Sequence, residues 1–399
     1  MIKRILVTAT TFPIFEGDTS PRFVLDLTKA IQAIGKYECR VLVPHWPQSK
    51  CREILEGVQI YRFRYAIPEQ YESISGQGII ARIKEKKARL LLVPLLLLSQ
   101  LYVTYRQMVA FKPDVLMAHW IIPQGLVAAI IKKARPNCRV LIISHGGDAA
   151  LISRNAILQK LTAWIFDTVD EVVAVSSFIQ AKLYEGLPGY SGNIHVIPMG
   201  VDVTRFKNGG EANSTCDRSG IIFVGRLEEK KGVSYLLHAF LRLLDERPRE
   251  KLTIIGDGTY KNELILLSEK LGIKDNVIFT GPITQEKIAI LLQKNAVAVI
   301  PSINLNDDVE GMPTVITEFA AMKIPIIATN AGGITDFIKD GETGLLARQK
   351  DPDDLYRLIR ILSKDEALQK KLAENAYELM LKSFSYCSVG SRYSKLLKL

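Results

Sequence analysis

The chain has 399 residues, 48% of them hydrophobic and 24% charged. At roughly 100–200 residues per domain that length predicts two domains or three, and the composition excludes a disordered, collagenous or low-complexity protein. The formal net charge is +10, and nearly all of it sits early: residues 1–205 hold 25 Lys and Arg against 16 Asp and Glu, while residues 206–399 hold 27 against 26. Such an asymmetry points to an anionic partner for the first half, nucleic acid or an anionic lipid surface.

The first apolar run, residues 2–8, turns polar at Thr8-Ala9-Thr10-Thr11. It is too short for a secretory signal and predicts a strand. Further strands are predicted at 39–43, 59–63, 114–118, 139–143, 171–175 and 194–197, with helices such as 22–34 and 123–134 between them. Uninterrupted apolar runs of this length suit strands covered on both faces. The alternation implies a parallel sheet with right-handed crossovers. One apolar run stands apart: Leu90-Leu91-Leu92-Val93-Pro94-Leu95-Leu96-Leu97-Leu98 follows Arg82, Lys84, Lys86, Lys87 and Arg89. Ser99 and Gln100 stop it short of a membrane span, which needs ~20 apolar residues. It reads equally as a buried helix and as a helix lying on an anionic leaflet.

A polar, glycine-containing linker, 208–215, precedes a second copy of the same rhythm. Its strands are predicted at 220–224, 251–255, 276–280, 296–300 and 324–328, and its helices at 233–244, 260–270, 285–293 and 313–322. The chain is therefore read as two α/β doubly wound, Rossmann-like domains, 1–205 and 206–380, facing across a cleft. Five scattered cysteines without a CxxC pair argue for a reducing compartment and against a zinc site.

In open α/β sheets, ligands bind beyond the carboxyl ends of the strands. Arg226 follows the 220–224 strand, and Lys231 lies five residues on. A planar guanidinium and a compact ammonium together can neutralise a diphosphate. Glu310 and Glu318 bracket a helix expected to start at Pro313. Carboxylates beside a free helix start can accept from sugar hydroxyls while backbone N–H groups, Gly311 and Met312 among them, face phosphate. In the first half, His119 and His145 both follow strands, and Gly17-Asp18 lies in the long loop after the first one. A single histidine is usually structural; two at strand ends favour contact with a sugar or acceptor. Asp307-Asp308 is too little to hold a metal.

As a set, Gly225-Arg226 with Lys231-Gly232, the Glu310 to Glu318 segment, Gly332-Gly333, Ile197-Pro198-Met199-Gly200-Val201-Asp202 and Ser144-His145-Gly146-Gly147-Asp148 resemble glycosyltransferase family 4, of the GT-B fold. The resemblance implies a retaining hexosyltransferase with no obligatory metal and no cofactor, taking a UDP- or GDP-type sugar held by the second domain, and a terminal helix, 381–399, crossing back to the first domain. Its acceptor would be a glycan or a polyprenyl-diphosphate-linked sugar in polysaccharide biosynthesis, met in the cytoplasm or at the inner face of the membrane. By position, Arg226 and Lys231 resemble the diphosphate clamp, Glu310 with Gly311 and Met312 the donor-sugar contacts, and Glu318 the ribose contact. His145 resembles the active-site histidine and Gly17 the loop glycine near the donor phosphates; His119 is assigned to the acceptor. Two other readings remain: a nucleotide-sugar epimerase of the same fold, and a non-enzymatic basic protein binding nucleic acid or anionic membrane.

Overall fold

The computed structural model describes residues 2–15, 18, 22–75, 79–152, 155–207, 218–305 and 310–397. The chain divides into two compact units, one of Met1–Met199 with Val389–Leu399, the other of Gly200–Ser388. Gly17, the 208–215 linker and Asp307-Asp308 lie outside the described residues.

The first unit carries β1 (Lys3–Thr8), β2 (Tyr37–Pro44), β3 (Arg52–Leu55), β4 (Val58–Phe63), β5 (Val115–His119), β6 (Arg139–Ser144), β7 (Glu171–Ala174) and β8 (Ile194–Val196). Their order across the sheet is β3-β4-β2-β1-β5-β6-β7-β8. All pairings are parallel except β3 with β4. Helices cover both faces, so the strands read as solid apolar runs; Val140, Leu141, Ile142 and Ile143 have no exposed surface at all. Strand order reverses between β1 and β5, which places the ligand-binding crevice at the ends of that pair. The terminal helix Tyr386–Leu397 contributes to this unit from Val389 onward. There the Tyr37 and Ser394 hydroxyls meet at 2.8 Å, and Arg392 donates to the Val196 carbonyl.

The second unit carries β9 (Ile221–Val224), β10 (Leu252–Ile255), β11 (Val277–Gly281), β12 (Val297–Ile300), β13 (Ile326–Thr329) and β14 (Leu345–Ala347). These form a parallel sheet ordered β11-β10-β9-β12-β13-β14. Its two faces bury separate cores. Phe223, Phe240 and Leu237 pack on one side, and Phe319, Ile316 and Phe337 on the other. Burying one such side chain contributes ~2–3 kcal/mol, so each face commits its helices firmly. The order reverses between β9 and β12.

Every strand expected from the sequence is present, most with ends shifted by one or two residues. β3 and β14 were not expected. β3 is four residues of mostly polar sequence, Arg52-Glu53-Ile54-Leu55, and exists because the two-residue turn Glu56-Gly57 folds it back on β4 with Leu55 opposite Val58. β14 is only three residues long, below the length at which an apolar run stands out. The helix expected from Pro313 instead spans Val315–Ala321, and the Pro313 carbonyl accepts from the Ile316 N–H at 3.1 Å in the turn before it. The Leu90–98 run is not a core helix: it enters the helix Leu92–Ala110, in which Leu96 is buried but Leu95 and Leu98 stand out in solvent.

Candidate active site

In the second unit the site grows from the strand ends at the order reversal. β9 leads through Gly225 into Arg226, then a single turn at Glu229–Lys231 ends on Gly232. Gly232 sits at φ 64°, and a Cβ placed on it would lie 1.9 Å from the Pro301 carbonyl oxygen. Only glycine combines that backbone conformation with so close an approach. Next to it, the Ile303 N–H donates to the Lys230 carbonyl at 2.8 Å. The loop after β9 is thereby fastened to the loop after β12, and Lys231 emerges from the junction.

A second close approach fixes Glu310. Gly332, at φ 53°, brings its Cα so near that an added Cβ would lie 1.9 Å from the Glu310 carbonyl oxygen, and the Gly333 N–H donates to that oxygen at 3.1 Å. With both backbones held, the Lys231 Nζ reaches the Glu310 Oε2 at 2.6 Å, and each side chain is only 13% exposed. Burial pushes the Glu310 carboxyl up. The Lys231 ammonium, through charge and hydrogen bond, outweighs it with help from Lys230 and Arg226, and the net shift is below the usual carboxylate range. Glu310 is therefore a carboxylate at neutral pH, an acceptor of hydrogen bonds and not a proton donor. Arg226 pairs with Glu228 at 2.9 Å and remains 64% exposed, a guanidinium open to solvent beside the buried pair.

Gly311 and Met312 follow directly on the same loop, both half-buried, with Met312 against the second core. Glu318 is half-buried on the helix Val315–Ala321. Because that helix has seven residues, few aligned peptides add to a dipole at its start. The side chains of Arg226 and Lys231 supply the positive charge here.

We expect Gly332→Ala to push the Glu310 loop off its carbonyl contact. Transfer should fall at least ~10-fold and stability by more than ~1 kcal/mol, read by nucleotide release and thermal unfolding. Unchanged turnover would show that the Glu310 backbone need not be held.

In the first unit the site lies at the end of β5 and β6, beside the order reversal. His119 is fully buried. Its Nδ1 lies 3.0 Å from the His145 Nε2, and the rings stack at 5.2 Å. The acceptor contact expected of His119 does not fit a ring without exposed surface; what it touches is His145, which it orients. His145 also packs against Phe23 and Trp120, with ring centroids at 4.9 and 4.8 Å. Sequence reasoning missed those two aromatics, which lie in separate elements and share no spacing. It named Asp148 only within the Ser144–Asp148 segment and gave its carboxylate no role. The Asp148 carboxylate accepts from the Ser144 hydroxyl at 2.8 Å and from the N–H groups of Ile121, Gly146 and Ala149 at 3.0, 3.1 and 3.1 Å. Those four bonds lock the two loops that carry the histidines. An aspartate three residues after a strand-end histidine was the available signal.

Desolvation brings the His145 imidazole down to about 3, and burial followed by the neighbouring His145 charge holds His119 well below the ordinary histidine range. Both are neutral at pH 7. Their folded values lie below the unfolded one, so the unfolded chain takes up protons first as pH falls. Stability is complete above ~6.5 and is lost as pH drops from there toward ~3. Thermal unfolding should therefore fall on acidification through that window, with a shallower slope in His145→Asn. An identical slope in both proteins would contradict the assignment. Among the described residues no group of three or more His, Cys, Asp or Glu could hold a metal ion.

With this geometry in hand, comparison with known proteins is specific. A family model described as Glycosyltransferase Family 4 matches residues 20–205, and one described as Glycosyl transferases group 1 matches residues 211–379. An uncharacterized glycosyltransferase of Methanocaldococcus jannaschii, MJ1178, is 29% identical over 70% of this chain and 74% of its own. Among solved structures, sucrose-phosphate synthase from Thermosynechococcus elongatus superposes with a TM-score of 0.78 over 99% of this chain and 98% of its own, at 18% identity. Anabaena HepE, solved in complex with UDP and glucose, superposes with a TM-score of 0.72 over 99% of both chains, at 16% identity. At those identities the likeness speaks for the GT-B architecture. Since separate family models account for each of its two Rossmann-like units, the chain belongs to glycosyltransferase family 4 and transfers a sugar from a nucleotide-sugar donor.

Proposed function

We propose that the enzyme moves a hexose, with retention of anomeric configuration, from a UDP- or GDP-sugar to a glycan or polyprenyl-diphosphate-linked acceptor. The observation that carries this reading is the Lys231–Glu310 pair at 2.6 Å with the exposed Arg226 beside it. In the reaction the bond between the sugar's anomeric carbon and the diphosphate breaks, the acceptor oxygen bonds to that carbon and releases its proton, and the nucleoside diphosphate leaves. Negative charge grows on the diphosphate as the bond opens. Lys231 and Arg226 are the groups to neutralise it. Glu310, kept ionised by Lys231, accepts hydrogen bonds from the sugar hydroxyls, with the backbone of Gly311 and Met312 beside it. Glu318 serves the nucleotide ribose. We assign the neutral His145 ring, held by His119, a hydrogen bond to the donor sugar. The reading puts the enzyme in the cytoplasm, where nucleotide sugars are made.

A panel of UDP-, GDP- and ADP-sugars tests it through thermal stabilisation. A donor at ~100 times its Kd stabilises the binding state by ~2.7 kcal/mol, which marks the base and sugar. Equal response to the free sugar and to the nucleotide sugar would overturn the diphosphate as the main handle. Anomeric analysis of the product then decides retention.

A further inference from the structure

We propose that Trp120 is a sugar-binding residue of this transferase: its indole, beside His145, takes the apolar face of a pyranose ring. The proposal rests on the reading that a hexose is transferred, and on groups of the first unit alone.

Trp120 follows the end of β5 at φ 73° and ψ 144°. That conformation is open to glycine and strained for a residue with a Cβ, a bulky one above all. It is held from three sides. The Trp120 N–H donates to the Ile143 carbonyl at 2.8 Å, and the Trp120 carbonyl accepts from the Gly125 N–H at 3.1 Å. The next N–H, of Ile121, donates to the Asp148 carboxylate at 3.0 Å. Glycine at position 120 would keep all three bonds without strain. An indole sunk in the core could offset the strain by packing. This one is only half-buried, so its ring has a use outside the core.

The surroundings point to a sugar. The indole meets His145 at 4.8 Å with the rings tilted by 42°, and the half-buried Phe23, first residue of the helix Phe23–Ala33, at 5.9 Å and 64°. The buried His119 ring lies at 6.2 Å and 55°. No aromatic ring lies parallel to the indole, so the stacking position on it is untaken among the described residues. Beyond His145 the loop is open: Gly147 is exposed, and a Cβ placed on it would meet nothing within 4 Å. The indole N–H donates to no partner among the described residues. A pyranose carries C–H groups on its faces and hydroxyls around its edge. An indole offers an apolar face to the first and one donor to the second. The donor's hexose and a sugar of the acceptor share that chemistry, and both must come close to the bond being made.

The chain has three tryptophans. Trp46→Phe with Trp164→Phe leaves Trp120 as the only one, and fluorescence then reports on that ring alone. Emission is measured with UDP or GDP, with the matching nucleotide sugars, and with the nucleoside diphosphate plus methyl α- and β-glycosides of glucose, galactose and mannose. Trp120 emission should change only when a sugar is present. A change on the nucleotide sugar assigns the donor's hexose, and a change only on adding a glycoside assigns the acceptor's. In the otherwise unaltered chain, Trp120→Ala should weaken that sugar's binding ~10-fold and leave the nucleoside diphosphate's affinity as it was. Trp120→Phe should regain most of the loss. Trp120→Gly relaxes the backbone, so it should unfold at a higher temperature than Trp120→Ala while transferring no better. Emission indifferent to every sugar would overturn the proposal, as would normal turnover in Trp120→Ala. A loss of nucleoside diphosphate binding equal to the loss for the sugar would make the ring a support of the fold and overturn it too. Nucleotide-sugar turnover by the unaltered chain, measured alongside, tells these failures from a failure of the hexose-transfer reading.

Discussion

Arg226→Ala should remove transfer while leaving the fold intact. Arg226 is 64% exposed and its ion pair with Glu228 lies at the surface. Such pairs contribute ~0–1 kcal/mol, so thermal unfolding should scarcely move. Against a diphosphate, the same guanidinium can form two parallel charge-assisted bonds, and they strengthen as charge develops on the leaving group. Losing one such contact costs ~10²–10³ in rate. Nucleotide release measured beside the unfolding curve separates the two effects. Arg226→Lys should recover only part of the loss, since an ammonium restores the charge but not the fork. A variant that turns over normally, or one that unfolds early, would contradict this account.

Lys231 should behave differently, because it serves both fold and chemistry. Its ammonium is the main force holding Glu310 ionised. In Lys231→Met the carboxylate keeps its burial and loses its partner, so its affinity for a proton rises above the usual carboxylate range. Breaking a buried pair from one side costs ~3–5 kcal/mol, and the 13% exposure of each partner puts the expected loss at the lower end. Adding Glu310→Leu to Lys231→Met should restore much of the stability, since no charge is then stranded. Transfer should remain abolished in the single and the double variant. A double variant as unstable as Lys231→Met would show that the pair is not the source of the loss, and one that regains activity would remove both residues from the donor site.

Much of this was legible in the sequence. Parallel strands covered on both faces are solid apolar runs, so β5, β6 and β12 were visible from composition alone. Arg226 and Lys231 were legible because the strand-end rule gives each a place before any contact is known, and Glu310 because it precedes a helix start marked by Pro313. What escaped had a physical reason. β3 depends on a turn and a partner strand, not on its own apolar content. Phe23 and Trp120 meet His145 only through tertiary packing. The fastening of Gly232 to Pro301 and of Gly332 to Glu310 is a matter of backbone approach, and a glycine in sequence does not say what it approaches. The Leu90–98 run stayed open in the sequence, because a stretch of leucines is as consistent with core as with surface; that Leu96 is buried while Leu95 and Leu98 stand in solvent depends on tertiary packing.

The most direct test is a crystal structure of the enzyme with the nucleotide sugar that stabilises it most. The account predicts diphosphate oxygens within hydrogen-bond distance of Arg226 and Lys231, and sugar hydroxyls against the Glu310 carboxylate. A diphosphate seated on other loops of the second unit, with both cations clear of it, would contradict the account.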